Sequence, residues 1–428
     1  MPDQGLQPEQ LRDRWGIYAG DDVDWRSGRS WSLVYDSPPW HAELVDDAAA
    51  LFAHENGLSH SAFPSAARFE SETISMVSSV VAPGTDTYGV FTSGGTESLM
   101  VAVKAYRDST GRTEIVLPNT AHPGYWKAAA YLGLTIHHIR VGSDGLPDVE
   151  EMVDAMGPQT AMVGLSAPCF PFGVVDPIEE VAAAAQERGV GLHVDAAMGG
   201  LFLPFLPGAG GPTVRFGPDV PGVTSVSLDL HKYGYGAKGA SVVLFATREL
   251  RHHSYYVATG WPGGAYAASA VVGTRPVGAA AAAWTAVAAL GQEGYQSLVN
   301  DVLGTARRLQ QGMSQAGLEL IGSPPMGVFA VTTPGLEMTA VAGGLQKRGW
   351  WIDTQNDPPA MHFVVFPRHA AVAEQFVGDI HEAVREAKDG VASSGPQASY
   401  GVMVRGGEPT DQLLKEHLDS RFDNQGAA

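Results

Sequence analysis

The sequence between residues 87 and 245 alternates short apolar runs with longer helical patterns. Strands that alternate with helices in this way build a mostly parallel sheet, and near-continuous apolar strands indicate that the sheet is buried. We therefore predict an α/β domain with a seven-stranded, mostly parallel sheet and helices on both of its faces. The predicted strands are residues 87–92, 114–118, 134–139, 160–166, 190–195, 223–229 and 240–245.

The whole chain divides into three predicted parts. We predict an N-terminal arm with one helix in residues 1–62, the large α/β domain in 63–290, and a small C-terminal α+β domain with a tail in 291–428. The most apolar window, residues 277–290, has only 14 residues. Because a membrane-spanning helix needs about 20 residues, this window predicts a buried helix and no insertion into a membrane.

Composition argues against two classes of partner. The formal net charge is −19, whereas nucleic acids and anionic membranes are bound through a basic face. The single cysteine, Cys169, cannot form an intrachain disulfide, and the polar first 15 residues lack the apolar core of a signal peptide. We therefore expect a cytoplasmic protein that acts on a small molecule.

Ligands of open α/β sheets bind beyond the carboxyl ends of the strands. Four polar clusters follow predicted strands in this sequence, and they should converge on one edge of the sheet although more than a hundred residues separate the first from the last. The clusters contribute Gly95 and Thr96 (in TSGGTES), His122 (in NTAHPGYW), Asp195 (in HVDAAMGG), and His231 with Lys232 (in DLHKYGYG).

Each of these residues, taken alone, has an ordinary structural explanation. Thr96 could cap a helix instead of helping an anion site, and Asp195 could cap a loop. His122 could be structural, and Lys232 could be a surface lysine instead of a desolvated nucleophile. One cofactor needs all four features, because pyridoxal phosphate requires a lysine for covalent attachment, a carboxylate at the ring nitrogen, an anion site and a flat group over the ring. The set therefore predicts pyridoxal phosphate, and we predict no metal site.

The motifs TSGGTES, HVDAAMGG, HKYGYGAKG and GTRPVG occur in an order that resembles the sphingosine-1-phosphate lyase branch of the fold-type-I pyridoxal-phosphate enzymes. This branch is close to the group II amino-acid decarboxylases. The resemblance extends to FPSAARFESE, RGWWIDTQNDPPAMHF and SYGVMV and covers most of the chain. It implies an aspartate-aminotransferase-like fold and a homodimer whose active sites are shared between the subunits.

The resemblance also implies how the cofactor ring is held. Lys232 would bind the cofactor covalently, and Asp195 would pair with the ring nitrogen. Ala197 would pack under the ring, and His122 would stack on its other face.

A second group of matching positions would hold the cofactor's phosphate. The resemblance assigns this role to Gly95, Thr96 and His231 of one subunit. Thr274, which stands where the family usually has serine, would reach the phosphate from the other subunit.

The remaining matches concern the substrate. By resemblance, Lys238 would serve proton transfer together with an arm tyrosine of the other subunit, matched here by Tyr35; the alternatives are an anion contact for Lys238 and plain packing for Tyr35. In the family, an Asn and a His of the arm are linked to the substrate's phosphate. Asn56 matches the first, but Ser59 stands at the histidine position and His60 is displaced by one residue.

These features favour a pyridoxal-phosphate-dependent carbon–carbon lyase that cleaves the Cα–Cβ bond of a β-hydroxy amine or amino acid in a retro-aldol reaction and releases an aldehyde. An amino-acid α-decarboxylase on the same scaffold is the alternative, since the cofactor motifs do not define which bond aligns for cleavage. A third hypothesis is a protein that binds the cofactor but catalyses no reaction.

Overall fold

The computed structural model describes residues 4–391 and 410–423, so the SYGVMV motif at residues 399–404 lies outside the described residues. The helices are α1 (Pro8–Gly20), α2 (Pro39–Leu51), α3 (Pro64–Val81), α4 (Gly95–Thr110), α5 (Gly124–Leu132), α6 (Val149–Asp154), α7 (Ile178–Glu187), α8 (Arg248–His252), α9 (Gly278–Gln315), α10 (Met338–Lys347), α11 (Ala373–Lys388) and α12 (Asp411–Asp423). The strands are β1 (Tyr88–Thr92), β2 (Glu114–Pro118), β3 (Thr135–Ile139), β4 (Thr160–Ser166), β5 (Gly191–Asp195), β6 (Val223–Asp229), β7 (Ser241–Phe245), β8 (Tyr256–Ala258), β9 (Tyr266–Ala268), β10 (Glu319–Leu320), β11 (Val328–Thr332), β12 (Asp353–Asn356) and β13 (Pro359–Val364).

The predicted central sheet is confirmed. Its seven strands lie in the order β1-β7-β6-β5-β4-β2-β3, and only β7 runs antiparallel to its neighbours. Each strand begins and ends within one residue of its predicted bounds. The prediction succeeds because β4 and β7 are buried along their whole length, and strands covered on both faces are apolar without interruption.

This topology brings the predicted clusters to one edge. Because β1, β2, β5 and β6 point in the same direction, the loops after them leave from the same side of the sheet. Helix α4 begins at Gly95, three residues after β1, and α5 begins at Gly124 beyond β2. Strand β7 starts on this side, since Ser241 pairs with Asp229 at the end of β6.

A second, antiparallel sheet follows in the last third of the described chain. Its order is β10-β11-β13-β12; α10 packs against β12 and β13, and α11 packs against α10. Strands β10, β11 and β13 overlap the sequence runs LELIG (318–322), VFAVTT (328–333) and HFVVFP (362–367), which are strand-like by their apolar residues, whereas no such run indicates β12, and α10 was not predicted. The predicted domain boundary at residue 290 stays a prediction; it falls within α9, next to Gly291, whose φ of 55° interrupts the helix.

The N-terminal region holds two helices, α1 and α2, where the sequence suggested one. Helix α1 was not predicted from the sequence. None of its residues is buried, so it has no apolar stripe toward a core. Helix α2 packs against α9. Within the described ranges, none of the helices combines the length and the apolar character that a membrane span requires.

A glycine contact between the two sheets gives a test of this packing. Gly173 and Gly84 share a φ of +73°, but a Cβ at Gly173 would overlap the backbone carbonyl of Val328 in β11, while nothing lies within 4 Å of a Cβ at Gly84. We expect Gly84→Ala to cost about 1 kcal/mol from backbone strain alone. Gly173→Ala should lower the free energy of unfolding by about 2 kcal/mol more, because the backbone must move.

The measurement is denaturant unfolding of both variants beside the parent chain, with refolding checked for reversibility. Equal losses at the two positions would show that residues 173 and 328 are not packed as described.

Candidate active site

A cavity of about 330 Å3 opens at the carboxyl edge of the central sheet. It collects seven of the predicted cofactor residues from four separate segments of the chain. The predicted residues that line it are Gly95, Thr96, His122, Asp195, Ala197, His231 and Lys232.

The turn between β1 and α4 forms one wall of this cavity. Gly94 has a φ of +150°, and a Cβ there would lie 3.3 Å from Cε1 of His231. Gly94 is also the N-cap of α4, without a side-chain hydrogen bond, so Thr96 is not the cap. Glu97 instead fixes the turn, because its carboxylate accepts the backbone N–H of Ser93 at 2.6 Å. The first N–H groups of α4 thus face the cavity edge as an anion site.

Lys232 is held by a carboxylate that the sequence interpretation missed. The side chain of Asp229 is 2% exposed, and its Oδ2 lies 2.9 Å from Nζ of Lys232 and 3.6 Å from Nε2 of His231. Burial tends to raise the pKa of Asp229, but Lys232 and His231 outweigh it and hold the pKa below its usual range. A polar residue at the end of a buried strand, three positions before the lysine, was the available signal.

His231 takes a fixed orientation beside this pair. Its Nδ1 accepts the backbone N–H of Ala240 at 3.2 Å, which turns Nε2 toward Asp229. Burial lowers the pKa of His231, Asp229 raises it, and Lys232 and Lys238 lower it. The ring therefore carries its N–H on Nε2, which faces the Asp229 carboxylate.

Asp195 and His122 are both removed from water. Burial raises the pKa of Asp195 to about 6, although Lys232 lowers it and the N–H of Ala197 donates to Oδ1 at 3.0 Å. A cationic ring nitrogen opposite Asp195 would offset that burial cost. Burial, with a smaller contribution from Lys232, lowers the pKa of His122 to about 4, so its ring is neutral and flat at physiological pH. Nδ1 of His122 accepts the N–H of Gly124 at 3.0 Å.

The donor set fits pyridoxal phosphate. The turn must be glycine because a Cβ at Gly95 would lie 2.8 Å from Oδ2 of Asp229, so the backbone can approach a phosphate there. A lysine, a buried carboxylate and a neutral imidazole stand around the same cavity. These are the partners that the aldehyde, the ring nitrogen and the ring face of this cofactor require.

Lys238 and Tyr35 meet within one chain, next to this cavity. Nζ of Lys238 lies 4.9 Å from the centroid of the Tyr35 ring and donates to the carbonyl oxygen of Leu33 at 3.2 Å. The Tyr35 hydroxyl donates to Sδ of Met198 at 3.2 Å. Although part of Lys238 is exposed, burial lowers its pKa, and Lys232 lowers it further.

Four other predicted residues, like Lys238 and Tyr35, do not line this cavity of their own chain. Thr274 is exposed. The Asn56 side chain accepts the N–H of Leu58 at 2.9 Å, and Ser59 lies in the turn that follows. His60 borders a separate cavity of about 240 Å3, and its Nε2 lies 3.6 Å from Oε2 of Glu70.

Proteins of known family resemble this chain over most of its length. Residues 40–203 match the aminotransferase class-V family. The sphingosine-1-phosphate lyase of Dictyostelium discoideum is 37% identical over 400 residues, which cover 92% of this chain and 75% of the relative. A probable L-tyrosine/L-aspartate decarboxylase of Methanothermobacter thermautotrophicus is 32% identical over 287 residues, or 66% of this chain and 78% of the relative.

A solved structure extends the likeness to three dimensions. The sphingosine-1-phosphate lyase of Burkholderia pseudomallei has a TM-score of 0.86 and 32% identity, and the match covers 91% of this chain and 93% of that chain. The predicted fold type, the pyridoxal phosphate cofactor and the lyase activity are thereby confirmed, and the reading as a protein without turnover is wrong. The chain belongs to the sphingosine-1-phosphate lyase family of pyridoxal-phosphate-dependent carbon–carbon lyases.

Proposed function

We propose that the substrate is a β-hydroxy amine that carries a phosphate ester, as the names of the relatives state for those proteins. The observation that carries the β-hydroxy part of this proposal is the second lysine, whereas the phosphate ester rests on the relatives alone. Lys238 lies close enough to Lys232 for each charge to act on the other, and its lowered pKa increases the fraction that is an uncharged amine. A retro-aldol cleavage needs such a base for the β-hydroxyl proton, separate from the lysine that holds the cofactor.

The residues in and beside the cavity have separate roles in the cleavage. Bound pyridoxal phosphate supplies an electron sink for the electron pair that stays on Cα when the bond to Cβ breaks. Asp195 keeps the ring nitrogen protonated through its negative charge, and the neutral His122 covers the ring face. Lys238 takes the proton from the β-hydroxyl, and the Tyr35 ring holds its ammonium form by a cation–π contact.

The phosphate of the cofactor is bound at the turn where α4 begins. Gly95 and Thr96 offer backbone N–H groups at the start of a 16-residue helix, whose dipole favours an anion. His231 adds a side-chain donor, and its Nε2 lies 3.6 Å from the Asp229 carboxylate, which is the counter-charge of Lys232.

We also propose that the chain acts as a homodimer in which Thr274 reaches the phosphate of the other subunit. Apolar side chains exposed in the single chain support an interface. Trp15 and Ile17 on α1 are 61% and 67% exposed, and Val257 and Trp261 at the β8–β9 hairpin are both 61% exposed. Exposed apolar groups of this number indicate a surface that is covered by a partner. The cytoplasmic location stays a prediction.

Amino-acid α-decarboxylation is the second candidate, because a probable decarboxylase is 32% identical over 66% of the chain. The two activities differ in the bond that is lost, so the products decide between them.

We expect the purified holoenzyme to release an aldehyde from a phosphorylated β-hydroxy amine and no carbon dioxide from tyrosine or aspartate. Lys232→Ala is the control and should lose both the visible absorbance of the bound cofactor and the aldehyde release. Carbon dioxide without aldehyde would reverse the assignment.

The role of Lys238 can be tested separately from cofactor binding. We expect Lys238→Met to keep the visible absorbance of the cofactor but to lower kcat by about a hundredfold or more, the size typical of a lost general base. Tyr35→Phe, which keeps the aromatic ring, should have a smaller effect. Undiminished turnover in Lys238→Met would leave that lysine with a structural role only.

The Asp229 carboxylate should stabilise the protein before any cofactor binds. In the cofactor-free protein, Asp229→Asn removes the carboxylate that lies 2.9 Å from the largely buried Lys232 ammonium, and we expect a loss of about 3 kcal/mol in the free energy of unfolding at pH 7. The pKa of Asp229 is lowered on folding, so its contribution is present above the usual carboxyl pKa and is lost as the pH falls through the lower, folded value.

The matched control is Asp219→Asn, which removes a carboxylate paired with the more exposed Arg215 at 3.4 Å. That change should cost less than about 1 kcal/mol. Equal losses in chemical denaturation, or a loss for Asp229→Asn that does not shrink as the pH is lowered from neutral into the acid range, would contradict the assignment of Asp229 as a buried counter-ion.

A further inference from the structure

A second cavity, of about 340 Å3, lies on the other side of His122, which lines both cavities. Three segments build its walls: the loop from β2 into α5 (residues 119–126), the loop after β4 with Phe170 and Pro171, and the β12–β13 hairpin (residues 353–362). The cavity therefore lies between the central sheet and the second sheet, next to the ring that stacks on the cofactor.

Two side chains of the hairpin are pinned by their donor atoms. Nε2 of Gln355 donates to the carbonyl oxygen of Pro171 at 2.6 Å, and Nε2 of His362 donates to that of Phe170 at 2.9 Å. The second hydrogen bond sets the tautomer of His362, because a carbonyl oxygen can only accept. Both side chains are thus fixed with their acceptors turned away from the loop.

Those acceptors have no partner within the described chain. Oε1 of Gln355 and Nδ1 of His362 are buried without a hydrogen bond, and so is Oγ1 of Thr120. His362 is only 1% exposed. Buried polar atoms of this kind cost free energy unless a donor reaches them. All three residues line the same cavity, which points to a ligand that brings hydrogen-bond donors.

The charges of the lining exclude an anionic ligand. Asp353 and Asp357 contribute carboxylates, and none of the described residues that line the cavity is a lysine or arginine. His362 is neutral, since burial lowers its pKa more than the facing Asp353 raises it. A phosphate would be repelled here. Trp126 supplies an aromatic wall that suits the carbon skeleton of a hydroxylated group.

We propose that this cavity receives the part of the substrate that leaves as the aldehyde, and that it selects a tail bearing hydroxyl groups over a plain alkyl tail. The inference rests on the proposed lyase reaction and deepens it. In that reaction the Cα–Cβ bond breaks, its electron pair stays with Cα, and Cβ leaves as the carbonyl carbon. The β-hydroxyl proton passes to Lys238, and Cα then takes up a proton.

A plain alkyl tail is disfavoured for a physical reason. It would occupy the cavity and leave the acceptors of Gln355 and His362 buried and unpaired. Sites built to pair with a substrate hydroxyl reject analogues without one far more strongly than apolar pockets reject an added hydroxyl. Each hydroxyl that donates to one of these atoms offsets the cost of its burial.

The test uses the holoenzyme and two phosphorylated β-hydroxy amines with the same number of carbon atoms, one with a hydroxylated tail and one with a plain alkyl tail. The dissociation constant is read from the change in the visible absorbance of the cofactor, and kcat/KM from aldehyde release. We expect the hydroxylated compound to be favoured at least about tenfold in both. Gln355→Leu should lower this ratio, because only the acceptors of His362 and Thr120 remain, whereas Gln355→Glu, which keeps an acceptor, should lower it less.

Gln346→Leu makes the same substitution on α10, away from the cavity, and should keep the ratio of the parent enzyme. Equal or tighter binding of the alkyl compound by the parent enzyme would overturn the proposal, as would an unchanged ratio in Gln355→Leu. If neither compound releases aldehyde, the lyase reaction proposed above fails, and the two dissociation constants still decide whether the cavity selects hydroxyl groups.

Discussion

The buried carboxylate of Asp229 is the group on which the geometry of the cofactor site depends. It holds Lys232 at 2.9 Å and faces His231 at 3.6 Å, and it lies so close to Gly95 that no side chain fits there. A charge this deeply buried is tolerated only with partners at short range. The requirement for partners therefore fixes the lysine, the histidine and the glycine turn relative to one another before a cofactor arrives.

The antiparallel strand β7 locks this arrangement to the sheet. The Ser98 hydroxyl, in the first turn of α4, lies 2.6 Å from that of Thr92 and 2.8 Å from that of Ser241 at the start of β7. Ser241 in turn donates to the carbonyl oxygen of Leu228 at 2.9 Å. This chain of buried hydroxyl groups ties β1, α4, β7 and β6 together directly beneath the anion-binding turn, and a connected buried network of this kind rigidifies its surroundings.

The sequence predicts the central sheet and the cofactor residues best, because there the burial of a residue can be inferred from its immediate neighbours in the chain. The seven strands stand out because they are apolar along their length, and the cofactor residues stand out because they interrupt that pattern at strand ends. Asp229 ends the predicted strand 223–229 just as Asp195 ends the strand 190–195, but the ring nitrogen of the cofactor requires only one carboxylate, so Asp229 was given no role. Strand β12, with Gln355, was missed because its side chains are mostly polar, and its pairing with β13 depends on contacts distant in sequence. Partners that lie far apart in the chain leave no local signal.

His122 separates two cavities of opposite electrostatic preference. On the cofactor side, the start of α4 and His231 favour an anion. On the other side, Asp353 and the bare acceptors of Gln355 and His362 favour donors and repel anions. Burial keeps His122 uncharged, with a pKa of about 4, so the ring adds no charge to either side. The cofactor's phosphate and a hydroxylated substrate tail would therefore be drawn to opposite sides of His122 by the protein field itself, so that neither competes for the other's site.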